Sequence, residues 1–131
     1  MDPFTRGVFD CLVAQAGARR KHIRPAAAVG LVGGMAPDLD VLIRSSSDSL
    51  LAIEYHRHFT HALAFIPVAA TLVALIAWPL VSRWRPDVKF ARVFAWSLLG
   101  VASHGVLDAM TSYGTRLLWP FSDEHIAWNI I

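Results

Sequence analysis

The chain has 131 residues, of which 55% are hydrophobic and only 17% charged, against about 25% charged in ordinary soluble domains. With a mean hydropathy of +0.45, this excludes a disordered chain and argues against a typical soluble enzyme, so one membrane-embedded domain, 1–131, is expected. The net charge of +2 comes from basic residues in two short clusters, without the long basic stripe and interleaved aromatics of a nucleic-acid binder, so no nucleic-acid partner is expected.

The N-terminus, MDPFTRGVFD, carries Asp2 and Asp10 and has no basic segment leading into an apolar core. It does not read as a cleavable signal peptide. Phe4, Val8, Leu12 and Ala16 form an apolar stripe at helical spacing over Phe4–Ala18. Asp10 leaves two arrangements open, a full crossing or a helix lying in the interface. Ala26–Ile43 is a further apolar stretch, rich in Ala, Val and Gly, that closes with Asp38 and Asp40. Ala62–Ser82 is free of charge and spans roughly 31 Å as a helix, enough for a bilayer core of about 30 Å. Membrane helices tolerate prolines such as its Pro67 and Pro79. Val93–Leu107 spans only about 22 Å, so a crossing must continue through Asp108 towards Thr111. That places His104 and Asp108 at or inside the membrane boundary, where ionisable groups face a partner, a cavity or an ion.

Arg19, Arg20, Lys21 and Arg24 form one basic cluster, and Arg83, Arg85, Lys89 and Arg92 the other. If both lie in short cytoplasmic loops, the chain zigzags through the membrane. Asp38, Asp40, His56, His61, His104 and Asp108 then all fall at the opposite, non-cytoplasmic end. The expected fold is all-α: an integral membrane up-and-down bundle of three or four helices with a polar His/Asp site at one end.

Cys11 is the single cysteine, so any metal must be held by His and carboxylates. The two aspartates of PDLD repel one another unless a cation or basic group lies between them; the plainer reading is a helix end turned into water. HRHFTH places His56, His58 and His61 around Arg57. Neutral imidazole is the commonest metal ligand, although an interfacial polar cap would have the same composition. His104 and Asp108 are four residues apart and share one helix face. They could chelate a metal, one could orient the other, or they could pair inside a helix bundle. Tyr113, Arg116, Asp123 and His125 could touch a polar substrate, or the surrounding aromatics could serve as an interfacial anchor belt. There is no GxSxG elbow, HExxH motif, Walker loop or GxGxxG.

Taken in order, MDPFTRG, GGMAPDLDVL, HRHFTHAL and SHGVLDAMTSYGTRLLWPFSD resemble the bacterial membrane-bound metal-dependent hydrolase family. This is a group of small inner-membrane proteins, some under DNA-damage control, and distantly similar to zinc-dependent phospholipase C. The resemblance covers nearly the whole chain. It implies a divalent metal, zinc or manganese, held by Asp38, Asp40, His56, His61, His104 and Asp108, with Arg57 clamping a phosphate or headgroup. Where many relatives carry His after the opening Thr, this chain has Arg6. Relatives usually continue into further membrane helices beyond the position of AWNII, so a short member of the family or a C-terminally truncated domain is expected.

The implied activity is metal-assisted hydrolysis of a phosphoester or lipid-headgroup ester at the bacterial inner membrane, with Asp40 as general base and membrane lipids as partners. The alternative is a non-catalytic membrane protein. It would use the cluster for helix packing, or bind a metal or haem through His61 and His104. No oligomeric state is implied.

Overall fold

A computed structural model describes residues 3–42, 59–112 and 114–131. Its architecture, in order, is helix α1 (Pro3–Ala16), a 3-10 turn (Arg20–His22), helix α2 (Ile23–Met35), a 3-10 turn (Pro37–Leu42), a second such turn (Phe59–His61), helix α3 (Ile66–Trp84) and helix α4 (Phe90–Met110). There is no strand among the described residues; a lone antiparallel bridge joins Thr115 to Ile126.

Prolines and glycines set several of these boundaries. Pro25 occupies the first turn of α2, where its missing N–H costs nothing. Ala36 keeps helical backbone, with φ −60° and ψ −42°, but Pro37 has no N–H to continue the ladder and its ring would clash with the carbonyl four residues back. Helix α2 therefore ends at Met35, where the Ala36 N–H donates to Gly33 O, and the chain turns tightly through Pro37–Leu42. This differs from the single stretch expected over Ala26–Ile43. The helix begins earlier, ends earlier and hands Asp38 to a turn. Pro79 lies inside α3, where Ser82 Oγ donates to the Pro79 carbonyl.

Helices α3 and α4 are long and apolar enough to cross a membrane. At 14 and 13 residues, α1 and α2 reach only about 20 Å and fall short of a bilayer core of about 30 Å. The outward face of α3 carries Leu72, Leu75, Ile76 and Leu80, each between 54% and 70% exposed. Water would penalise that face and lipid would not.

Small residues bring the helices together. Gly30 on α2 packs against Ala14 and the Asp10 carbonyl of α1, while Gly100 on α4 sits directly on the Gly30 backbone. A Cβ at Gly33 would meet Ser97 O at 3.0 Å. Helix α2 is thereby sandwiched between α1 and α4 at backbone contact, a packing mode typical of membrane helices. Ala14, Ala26, Val29, Ala74, Val88, Val93 and Trp96 form one core cluster, and Ile66, Ala69, Ala70 and Val101 a second.

The tail closes the end of α4. Trp128 N donates to Ala109 O and Ile130 N to Met110 O, at 2.8 and 2.9 Å. Leu63 N donates to Leu117 O at 2.8 Å, tying the tail to the Phe59–His61 turn. Gly114 adopts a φ of +66°, and a Cβ there would collide with Ile126 O, so glycine is required on both counts.

At the opposite end His22 is fully buried. Its Nε2 donates to Asp87 Oδ2 at 2.8 Å, and Nδ1 accepts from Arg92 at 3.3 Å. Lys21 also reaches Asp87 at 2.8 Å. The Lys21 and His22 contacts hold the Asp87 carboxyl below its ordinary range and pin the loop between α3 and α4 to the start of α2.

Gly100→Leu should drive a side chain into the Gly30 carbonyl and cost about 1–3 kcal/mol. A thermal unfolding scan in detergent should show a lowered midpoint, with the wild-type midpoint retained by an outward control, Ile76→Leu.

Candidate metal centre

Four elements deliver the polar site. Helix α1 contributes Arg6 and Asp10, the turn after α2 contributes Asp38, the turn before α3 contributes His61, and α4 contributes His104 and Asp108. His61, His104, Asp10 and Asp108 are at most 1% exposed and Arg6 is 6% exposed. Asp38 is the solvent-accessible member, with 37% of its side chain open. The cluster therefore opens at Asp38.

The donor atoms are closely matched. His61 Nε2 lies 3.0 Å from Asp108 Oδ2 and 3.6 Å from Asp38 Oδ1. His104 Nε2 lies 3.4 Å from Asp108 Oδ2 and 3.2 Å from Asp38 Oδ1. Asp38, His61, His104 and Asp108 can each present one ligand atom, all within 4.8 Å of one another. Ligands sharing a tetrahedral zinc at about 2.0–2.2 Å sit roughly 3.3–3.6 Å apart. The four His–carboxylate separations, 3.0–3.6 Å, lie within or a few tenths of an ångström below that spacing, so the residues present fit a divalent metal.

Each ring is oriented from behind. His61 Nδ1 is 3.0 Å from Thr60 Oγ1, which turns Nε2 towards the cluster. Gly105 on α4 lies beside the His61 backbone, where a Cβ would be 3.6 Å from His61 O, an ordinary contact. His104 turns Nδ1 towards Asp10 Oδ2 at 3.6 Å, and Ser103 Oγ donates to Asp10 Oδ1 at 2.7 Å. A carboxylate behind a ligand imidazole is the usual outer support of a His metal ligand. A Cβ on Gly34 would collide with the Asp10 carboxylate, so glycine at that position admits Asp10 to the site.

Arg6 supplies the permanent cation. Its Nη2 lies 2.5 Å from Asp108 Oδ1, and its Nη1 lies 3.4 Å from His104 Nε2 and 3.8 Å from Asp38 Oδ2. Two carboxylates, Asp38 and Asp108, thus face one guanidinium, and a third, Asp10, lies behind His104. Buried charges need compensation, and the remaining negative charge suits imidazolium or a divalent cation. Burial alone would raise the Asp38 carboxyl, but hydrogen bonds from His104 and His61 and the charge of Arg6 hold it well below the ordinary range. Burial would likewise depress the His61 imidazole, but hydrogen bonds to Asp108 and Asp38 raise it.

Of the expected site residues, Asp38, His61, His104 and Asp108 come together. Asp40 lies on the Pro37–Leu42 turn, but its side chain, like His56, Arg57, His58 and Tyr113, falls outside the described residues. Arg116 and Asp123 pair with each other at 3.7 Å on the surface, and His125 is exposed. Cys11 Sγ donates to the Ala27 carbonyl in the seam between α1 and α2. The His61 and His104 ring centroids are 5.2 Å apart, with both Nε2 atoms directed at the same two carboxylates, which leaves no space for a porphyrin between them. Sequence reasoning did not assign Asp10 or Arg6 to the site. The spacing of Arg6 and Asp10, one helical turn on α1, was the available signal.

The family model of the YdjM inner membrane protein matches residues 1–131. The chain belongs to the YdjM inner membrane protein family. Over 108 residues it is 33% identical to the inner membrane protein YbcI of Escherichia coli, covering 78% of this chain and 58% of YbcI. Over 101 residues it is 34% identical to the uncharacterized protein YvsG of Bacillus subtilis, covering 72% and 56% of the two chains. It is also 29% identical over 101 residues to the uncharacterized B. subtilis protein YfhP, covering 77% of this chain and 29% of YfhP. The chain thus spans little more than half, or less, of the length of these relatives. No solved structure matches it. Membership of the YdjM family and the two apolar helices agree on a membrane protein, and this one carries a His/Asp cluster able to hold a metal ion.

Two outcomes follow from these contacts. Asp10→Ala should weaken zinc affinity about 10–100-fold, read by competition with a chromogenic chelator, while the helix content stays at the wild-type value. Because the folded Asp38 carboxyl is depressed, its contribution to the stability of the metal-free protein is present at neutral pH and lost as the pH falls below about 4. The raised His61 has the opposite sign, contributing fully below about pH 6.5 and fading as the pH climbs through its elevated value. Thermal midpoints of metal-free protein should drop between about pH 6 and pH 3, and the drop should shrink in Asp38→Asn.

Proposed function

We propose that this protein is a membrane-bound metal-dependent hydrolase acting on a phosphoester or lipid-headgroup ester. One observation carries the reading: two imidazole nitrogens and two carboxylate oxygens, separated by 3.0–3.6 Å, converge beside the base of an apolar bundle. Asp38, His61, His104 and Asp108 would hold the metal, with zinc best suited to a compact set of nitrogen and oxygen donors. Bound there, such an ion lowers the pKa of a water to roughly 7 and polarises a phosphoryl or acyl oxygen.

The remaining roles belong to the chain. Asp10 and Thr60 orient the two imidazoles. Arg6 holds Asp108 through Nη2 and directs Nη1 towards the cluster, where a guanidinium suits an anionic oxygen. Asp38 marks the open side through which a headgroup would approach. Asp40, two residues further along the same turn, is assigned the general base, and Arg57 a second phosphate contact. With both basic loops cytoplasmic, as the charge bias of short loops favours, the cluster would lie on the non-cytoplasmic side of the inner membrane.

The Arg6–Asp108 contact favours a second reading, a non-catalytic cluster that locks the helices together, because a guanidinium already occupies one Asp108 oxygen. Elemental analysis of detergent-purified protein separates the two. The hydrolase reading expects about one or two zinc or manganese ions per chain, lost in folded His104→Ala and Asp38→Ala, and phosphoesterase activity abolished by chelation and restored by metal. A folded wild type that takes up no metal from added zinc refutes it.

A further inference from the structure

The opposite end of the bundle carries two adjoining cavities that the proposed chemistry does not use. A cleft of about 560 Å³ opens between α2 and α3, floored by Val29, Val32, Ala77 and Leu80 and rimmed by Arg24, Arg83 and Arg85. Its volume falls in the range of about 300–1,000 Å³ typical of ligand sites. A second hollow of about 380 Å³ is lined by Arg20, Lys21, Arg24 and Arg85 together with Ile23. Arg24 and Arg85 belong to both, so an apolar trough runs directly into a cationic one. Among the described residues no acidic one lines either cavity. Arg24, Arg83 and Arg85 are exposed, with no ion pair among the described residues, whereas the nearby Asp87 is committed to Lys21 and His22.

We infer that this composite cleft binds one anionic phospholipid, its phosphate held by Arg24, Arg83 and Arg85 and an acyl chain lying along Val32 and Leu80. Charge complementarity selects the occupant. Three unpaired guanidinium groups at the mouth of an apolar groove match an anionic headgroup joined to a hydrocarbon chain, and a zwitterionic lipid satisfies only part of that set. Basic pockets between membrane helices hold anionic headgroups in this way. Guanidinium adds bidentate contacts to phosphate oxygens that a diffuse surface charge does not provide. Trp84, exposed on the lining of the same cleft, reports on its occupant.

The full chain is reconstituted in phosphatidylcholine vesicles containing either brominated phosphatidylglycerol or brominated phosphatidylcholine. Quenching of Trp84 is isolated by difference from Trp84→Phe. The expected result is a preference of about tenfold for the phosphatidylglycerol probe, abolished in the Arg24→Gln/Arg83→Gln/Arg85→Gln variant and reduced by Val32→Phe, which fills the trough. Arg19→Gln/Lys89→Gln, which removes two cations of the same end outside the cleft, should retain it. Equal quenching by the two probes overturns the inference, as does a preference that survives the triple substitution or that falls equally in Arg19→Gln/Lys89→Gln. Val32→Phe keeps the test decisive if the triple variant fails to fold.

Discussion

Asp108 is the residue around which the rest is organised. It sits on an apolar helix with no exposure to solvent, where an isolated carboxylate would be strongly disfavoured. Its two oxygens are answered from three directions: Arg6 of α1 takes Oδ1, while His61 from the turn before α3 and His104, one turn back on α4, face Oδ2. These contacts join α1, α4 and the segment leading into α3 at one point. Asp38 adds the end of α2. The cluster around this buried charge thereby gathers α1, α4, the end of α2 and the segment leading into α3 at one end of the bundle.

That convergence depends on how closely the backbones approach. Gly30 and Gly100 let α2 lie against α1 and α4 with no side chain between them, and Gly34 leaves the volume that the Asp10 carboxylate occupies. Larger residues at these positions would widen the seam and carry Asp10 and His104 apart. The small-residue seam and the polar cluster are therefore coupled: van der Waals packing sets the distance at which the ionisable groups meet, and their mutual compensation offsets the cost of burying them.

Much of this was legible in the residues. The uncharged run after His61 and the extension of the last apolar run through Asp108 located the two long helices, because length and hydropathy are one-dimensional properties. The i,i+4 pair His104 and Asp108 and the aspartate after Pro37 stood out as candidate site residues, since each lies in an apolar setting that a charge does not occupy without a reason. Asp10 and Arg6 were not assigned to the site. Asp10 looked like an interruption of an amphipathic stripe and Arg6 like a departure from the His that relatives carry, and only the rotation of α1 against α2 and α4 shows that both point inward. His22 was hidden for a similar reason. Within RRKHIR it reads as one more solvated base, whereas the approach of Asp87 and Arg92 from 65 and 70 residues away makes it a buried lock.

The end of the first long apolar stretch teaches a further lesson about local chemistry. Continuous hydrophobicity over Ala26–Ile43 suggested one segment, yet Pro37, which lacks an N–H for the helical ladder, divides it into a short helix and a tight turn. If the helix had continued, Asp38 would have followed the α2 axis away from α4. The turn instead folds it back to 3.2 Å from His104 Nε2, leaving it half-buried at the mouth of the cluster. One proline therefore separates an acidic helix end facing water from a carboxylate that completes a four-donor set. The same turn sets where the buried cluster meets the outside, because Asp38 is the one of the four potential ligands with appreciable exposure.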